Sequence, residues 1–246
     1  MCPFPRAPPL PPSSGGGRTV LVFGGMDTPT DTADAKTALR ARIRQDRTQR
    51  LPDRIERDRA IVGYLTAELD RRDNTGEGTG GTRAVAAFDP LPGEPGGTDL
   101  PEALAVTGRD VWLPVVTGPG IPLRWVTWRG AEHTRTGAFG IREPVPVDGD
   151  SPVTTDHLLA VVGSVIIPAL AVGTGGARLG QGGGFYDRTF AASTATDENH
   201  DRLIAVVDHE EFGVAVPATA FDITVDVVVT DSGTFRTDIA DGNVRS

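Results

Sequence analysis

Lysine is all but missing from this chain of 246 residues. Lys36 is the only one, and arginine supplies the rest of the 24 basic side chains. Cysteine is as scarce, with Cys2 alone. No disulfide framework and no cysteine metal site can form within the chain, and a reducing compartment, the cytoplasm, suits it. The four histidines include no pair at ligand spacing, which argues against zinc. No apolar run reaches the roughly 18 residues of a membrane-spanning helix, and the nearest, Leu158 to Val172, is interrupted by Pro168. Basic surface is also lacking. A net charge of -9 argues against nucleic acid as a partner, yet it leaves room for a small anion at a locally positive site. There is no Gly-x-Ser-x-Gly elbow, and no Lys-Ser or Lys-Thr follows the glycine-rich stretch as it would in a Walker A loop.

What is present begins with hydrophobic residues at 38%, enough for one large or two small domains. Much of the Gly 31 and Pro 20 sits at the start. Met1 to Gly17 is dominated by proline, glycine and serine, which bury too little apolar surface to fold, so residues 1–30 read as a disordered tail. Met26 offers an alternative start. The run Val20-Leu21-Val22-Phe23, which suits a strand, speaks against it.

From Asp34 the pattern is helical, with Ala38, Leu39, Ala41 and Ile43 forming a stripe until Pro52 breaks it. A second helix runs from Asp53 to Arg72 on Ile55, Ile61, Val62, Leu65 and Leu69. Asn74 to Thr82 is a polar loop. Ala84 to Phe88 and Val111 to Val115 read as buried strands, with a helix at Leu100 to Val106 between them. Leu123 to Trp128 is a third strand, pairing antiparallel with its neighbour. Glu132 to Pro146 reads as a long loop and Leu158 to Val172 as a buried strand. A helix follows over Phe185 to Ala192, then strands at Leu203 to Val207 and, last, Ile223 to Val229. Such βα alternation with nearly continuous apolar strands predicts an α/β fold, a parallel or mixed sheet covered by helices on both faces.

The string Arg178-Leu179-Gly180-Gln181-Gly182-Gly183-Gly184-Phe185-Tyr186-Asp187-Arg188 is the most informative in the chain. Glycines let backbone amides approach a bound group closely, and successive N–H groups with a following helix start favour an anion, phosphate above all. Asp187 is suited to a Mg²⁺ shared with phosphates or to stabilising the helix dipole. Lys36 and Arg40 lie at i and i+4 on one helix face, where they can clasp a polyphosphate or simply face solvent. Asp208, His209, Glu210 and Glu211 stand just past a strand's carboxyl end, where ligands bind in open α/β sheets.

Taken together these pieces resemble the 5-formyltetrahydrofolate cyclo-ligase (5,10-methenyltetrahydrofolate synthetase) family. The glycine string is similar to the family's signature loop, and Lys36-Thr37-Ala38-Leu39-Arg40 to its N-terminal Lys-x-x-Leu-Arg element. Leu91-Pro92-Gly93-Glu94, Phe139 to Pro144, Val165 to Ala171 and Asp222 to Thr230 are similar to further blocks in the same order, from about Ala33 to Gly233. The resemblance implies a single three-layer α/β/α domain over residues 31–240 with a mostly parallel, mixed central sheet. It implies an ATP-dependent, Mg²⁺-requiring ligase that closes 5-formyltetrahydrofolate to 5,10-methenyltetrahydrofolate, with ATP as co-substrate and ADP and phosphate released, acting as a monomer or weak homodimer. Carried over by residue, Lys36, Arg178 and Asp187 are catalytic. Lys36, Arg40 and the run Arg178, Leu179, Gly180, Gln181, Gly182, Gly183, Gly184, Phe185 and Tyr186 bind ATP. Asp89, Glu94 and Gln181 to Phe185 bind the folate, with Trp125, Trp128 and Phe185 as stacking faces for the pterin or as core. Asp187 and Asp226 hold the metal.

The chain departs from the family pattern in two places. Pro95-Gly96-Gly97-Thr98 is one residue longer than the usual Val-Asp-Thr after the glutamate. Pro217-Ala218-Thr219-Ala220-Phe221-Asp222 lacks the usual glutamate and histidine. The second departure motivates a second reading, a non-catalytic folate- or nucleotide-binding relative. A third, a sugar-phosphate or coenzyme A handling protein, would need neither the Lys36-Arg40 element nor the complete loop.

Overall fold

The computed structural model describes residues 29–77, 82–137, 140–147, 149–190 and 202–239. The expected tail lies outside these residues except for 29 and 30, which open the first helix. Helix α1 (Pro29–Gln49) starts five residues before the expected Asp34, and α2 is Arg54–Thr75. Ile61, Leu65 and Leu69, four apart, form the buried stripe of α2, while Ile55 is exposed. Gly76 at φ 75 ends α2 and returns its N–H to Arg72 O at 2.9 Å.

The sheet strands are β1 (Val85–Ala86), β2 (Val111–Val115) and β3 (Arg124–Thr127), then, beyond the hairpin β4 (Thr134–Thr136) and β5 (Arg142–Pro144), β6 (Ser164–Pro168). After the small ribbon β7 (Ala171–Val172) and β8 (Arg178–Leu179) come β9 (Leu203–Val206), β10 (Val227–Thr230) and β11 (Gly233–Arg236). The short helices are α3 (Leu100–Ala105), α4 (Thr155–Val161) and α5 (Phe185–Phe190). The main sheet has seven strands in the order β11-β10-β9-β6-β1-β2-β3. Its five inner strands are parallel, and β3 and β11 close the two edges antiparallel. This is the expected mixed, mostly parallel sheet.

Both faces of the sheet are buried. Val165, Ile167, Leu203 and Ala205 point to one face, against Leu158 and Leu159 of α4 and Phe190 of α5. Ile166, Ile204 and Val206 point to the other, against Ile61, Leu65 and Leu69 of α2 and Leu100 and Leu104 of α3. The alternation on each strand puts apolar side chains on both faces, which explains the unbroken apolar runs. Helix α1 packs Ile43 and Leu39 on the β7–β8 ribbon, against Leu170, Ala171 and Leu179.

Three expectations are corrected. Leu158 to Val172 is not one strand. Thr154 caps α4 by accepting the His157 N–H at 3.3 Å, and β6 starts only after Gly163; an apolar run alone does not separate a buried helix from a buried strand. Glu132 to Pro146 is not loop throughout, because β4 and β5 pair antiparallel within it. Its polar composition hid the strands. The last strand is β11 rather than Ile223–Val229: residues 223–226 stay outside β10, and β11 follows with alternate residues exposed.

Candidate active site

The chain leaves β1 for β2 on one side, and β6 later pairs on the other side of β1. The carboxyl ends of β1 and β6 therefore flank a topological switch point, where open α/β sheets make their ligand crevice. A cavity of about 380 Å³ lies there. Phe88 and Asp89 line it from beyond β1, Pro114 from β2 and Val116 just past it, Ile141, Arg142 and Glu143 from the β4–β5 hairpin, and Pro168 from β6. The glycine string supplies the opposite wall through Arg178, Gly180, Gln181, Gly183, Gly184, Phe185, Tyr186 and Asp187.

Strand β8 delivers this loop and α5 takes it away. Gly182 and Gly184 have φ of 107 and 64, values that other residues adopt only with strain. A side chain at Gly184 would also meet Arg188 Nη1 at 2.6 Å. Arg188 donates to Gly183 O at 2.6 Å and lies over the Phe185 ring, 5.3 Å from its centroid. Arg178 is buried; it donates to Pro168 O and to Asp187 Oδ1, both at 2.9 Å. It thus ties the end of β6 to the start of α5, and its charge is already shared with Asp187. Burial pushes the Tyr186 phenol above its usual pKa against the pull of Arg178. Leu179 is core and does not reach the cavity.

Helix α1 meets the outer side of the same loop. Arg40 Nε donates to Gly180 O at 3.0 Å and its guanidinium lies 3.6 Å from where a Gly182 Cβ would be. Arg44, one turn on, donates to Gln181 O and to Gln181 Oε1, both at 3.0 Å. Lys36, one turn back, contacts Asp222 Oδ1 and Oδ2 at 2.7 and 2.5 Å. Asp222 also accepts from the Thr219 N–H at 2.6 Å and hydroxyl at 2.9 Å. Burial raises the Asp222 pKa, but the bonds from Lys36 and Thr219 outweigh it and leave the carboxyl below its usual value. Arg40 thus contacts the glycine loop and Lys36 the Asp222 turn, and neither lines the cavity.

The acids divide by environment. Arg142 grips Asp89 in a two-pronged pair at 2.8 and 2.7 Å and also donates to Thr98 O at 2.6 Å. Burial still leaves Asp89 with a raised pKa. Glu94 accepts the Leu91 N–H at 2.9 Å on one oxygen and the Gln181 amide at 2.8 Å on the other. Asp187 Oδ1 takes Arg178 and, at 3.4 Å, the Ile223 N–H. Among the described residues no hydrogen bond reaches its Oδ2. Asp226 is only 2% exposed and does not line the cavity. Among the described residues no three His, Cys, Asp or Glu side chains gather as a metal cage.

Several residues are placed otherwise than expected or were missed. Trp125 is wholly buried, donating to Thr155 Oγ1 at 3.3 Å and packing on Phe190. Trp128 packs on the α2 side of the sheet. Trp125 is core, Trp128 packs partly buried against the core, and Phe185 alone of the three aromatics faces the cavity. Asp208 and Glu211 are not at the cavity but bind arginines of α1 and α2. Arg47 holds Glu211 at 2.9 and 2.8 Å, Arg54 holds Asp208 at 2.7 Å, and Arg50 bridges both acids. Arg44, Arg142, Glu143 and Asp222 are the polar site residues without an expected role. Arg142 and Glu143 lie in the Phe139–Pro144 string, and Arg44 continues the four-residue spacing of Lys36 and Arg40.

A family model of the 5-formyltetrahydrofolate cyclo-ligase family matches residues 32–231, most of the chain. The chain belongs to that family. It is 36% identical over 152 residues to the 5-formyltetrahydrofolate cyclo-ligase of Mycolicibacterium smegmatis, a match that covers 60% of this chain and 73% of that protein. Its fold is similar to the solved structure of Aquifex aeolicus 5,10-methenyltetrahydrofolate synthetase, with a TM-score of 0.62 at 25% identity over 86% of this chain and 95% of that one. The Mycoplasma pneumoniae 5,10-methenyltetrahydrofolate synthetase shares the fold at 17% identity, with a TM-score of 0.56 over 80% and 98% of the two chains. Membership makes this chain an ATP-dependent ligase that cyclises 5-formyltetrahydrofolate to 5,10-methenyltetrahydrofolate. The fold and the family expected from the signature loop both stand. Among the described residues no helix is long and apolar enough to cross a membrane.

Proposed function

We propose that this cyclo-ligase seats ATP on the Arg178–Tyr186 loop between Lys36 and Arg40, and holds the reduced folate in the cavity beside Asp89, Glu94 and Gln181 to Phe185. The observation that supports this reading is the two-sidedness of the glycine loop. One side is a wall of the switch-point cavity, and the other is bonded through Gly180 O and Gln181 O to the cations of α1. Direct transfer needs the γ-phosphate and the folate in contact, so the phosphate would reach over the loop into the cavity, where Arg178 and Asp187 face it.

The chemistry needs positioning more than a covalent nucleophile. The formyl oxygen of the substrate attacks the γ-phosphorus and the bond to ADP breaks. The formyl carbon then carries phosphate as a good leaving group. N10 attacks that carbon and loses its proton, and departure of phosphate leaves the methenyl bridge. Lys36 and Arg178 would draw negative charge off the transferring phosphoryl group. Lys36 must leave Asp222 to do so, and its four-carbon stem allows that movement. Phe185, half-buried at the cavity, would lie against the pterin. Phe88, Leu91, Pro114, Val116 and Ile141 supply apolar lining suited to a ring system beside the Asp89–Arg142 pair.

Mg²⁺ fits one of its two expected ligands. Asp187 lines the cavity with Oδ2 uncommitted among the described residues, and Mg²⁺ characteristically takes one or two carboxylates together with water and substrate phosphates. Asp226, shut away from the cavity, fits only at a distance from the ion. Held by Asp187, the ion would neutralise charge on the phosphates. A cytoplasmic site of action agrees with the single cysteine.

The test is an absorbance assay for methenyltetrahydrofolate formed from 5-formyltetrahydrofolate. Product should require both ATP and Mg²⁺, and Lys36→Met should abolish most of it in a folded protein. Absence of turnover by the metal-replete wild type overturns the reading. Folate binding without ATP consumption would favour a non-catalytic relative, the alternative suggested by Thr219 and Phe221.

A further inference from the structure

Arg44, Gln181 and Glu94 form a hydrogen-bonded line from α1 across the mouth of the cavity. Arg44 Nη2 donates to Gln181 Oε1 at 3.0 Å, which fixes which end of the amide is which, and Gln181 Nε2 therefore points at Glu94 Oε1, 2.8 Å away. The same Arg44 nitrogen donates to Gln181 O at 3.0 Å, so the backbone and the side chain of one residue are held by one guanidinium. The second oxygen of Glu94 is held by the Leu91 N–H at 2.9 Å. Glu94 itself favours the amide nitrogen; what Arg44 adds is the anchor at the other end, and without it the Gln181 side chain is held at one atom and can swing away from the carboxylate. Among the described residues no other side chain holds the Gln181 amide oxygen.

Building on the assignment of Glu94 to the folate side, we propose that Arg44 is a positioning residue for the folate. It anchors the Gln181 amide so that the Glu94 carboxylate stands where the substrate's hydrogen-bond donors meet it. Arg44 does not line the cavity and so does not meet the folate. It is exposed and lies on the outer side of the loop, so its removal should not unfold the protein. Its effect is specific to one substrate, because Arg40 independently holds the nucleotide side of the loop at Gly180 O.

The test is steady-state kinetics of Arg44→Ala, Arg44→Lys and the exposed neighbour Arg42→Ala. Arg44→Ala should raise KM for 5-formyltetrahydrofolate by about threefold to tenfold, the loss of one charge-assisted hydrogen bond, with KM for ATP and kcat within about twofold. Lysine can donate to both oxygens, so Arg44→Lys should restore most of the folate KM. Arg42→Ala should change nothing. In a Gln181→Met background, Arg44→Ala should have no further effect on the folate KM. The proposal is overturned if Arg44→Ala leaves the folate KM unchanged, if both KM values rise together, or if the effect persists undiminished beside Gln181→Met. A wild type without turnover would instead refute the functional reading itself, so the two failures are distinguishable.

Discussion

Lys36, the sole lysine, and Asp222 form an ion pair at 2.5 Å across 186 residues of sequence. The pair closes α1 onto the loop before β10, and it occupies the one ammonium group proposed for ATP phosphate. The structure thus describes Lys36 in a parked position. A bound polyphosphate would have to outcompete a single carboxylate, which its greater charge permits.

The parked pair makes a pH prediction. The folded-state pKa of Asp222 lies below its usual value, so the pair's contribution is complete above the unfolded carboxylate value of about 3.9. It is lost as pH falls through the lower folded value. Asp222→Asn should lower stability by about 1–3 kcal/mol at neutral pH. The difference from wild type should shrink toward zero in strong acid. Urea denaturation at a series of pH values measures it; a gap that widens in acid would contradict the assignment.

Asp187→Asn keeps an oxygen to accept from Arg178 and so should fold normally. Without the carboxylate charge, turnover should fall by about 100-fold or more, and the Mg²⁺ concentration for half-maximal rate should rise. A metal titration of the absorbance assay, with thermal melting as the folding control, decides this.

Arg47→Leu should be among the most destabilising single changes at α1. It leaves Glu211, 2% exposed, and fully buried Asp208 with one cation fewer. Removing one partner of a buried pair costs about 3–5 kcal/mol. Burial already pushes Glu211 above its usual pKa despite the bond from Arg47. Denaturant midpoints should show the loss, and a change under 1 kcal/mol would deny the network its role.

Gly137→Ala probes the hairpin. A methyl group there would overlap the Glu143 carboxyl group, which lines the cavity and accepts the Val116 N–H at 3.0 Å. The displaced side chain should weaken folate binding by about tenfold and leave nucleotide affinity unchanged, because only the folate wall moves. Calorimetry with each ligand separately distinguishes the two effects.

The glycine string was legible because its residue types do their work locally: Gly182 and Gly184 need positive φ, and Arg178 meets Asp187 nine residues away. The parallel sheet was legible because β6 and β9 are apolar on both faces. What stayed hidden depends on distant pairing. Nothing near Asp89 in sequence announces Arg142, 53 residues on. Strands β4 and β5 carry threonine, arginine and glutamate, which no apolar period marks. Asp208 and Glu211 occupy a carboxyl end where ligands commonly sit, and only the folded structure reveals that arginines of α1 and α2 fill that place. Trp125 reads equally well as a stacking face or as core until its burial is known.

The arginine clamp also sets an order of events during synthesis. Glu211 leaves the ribosome 164 residues after Arg47, an interval of about 8–30 s at the usual elongation rates of about 5–20 residues per second. For that time α1 carries its cations without the carboxylates that will neutralise them. The two-residue strand β1 likewise waits for Ser164 and Val165 before it is flanked on both sides. Helix α1 is therefore among the last elements to be secured, and truncation before Asp208 should leave a nascent chain that chaperones must hold.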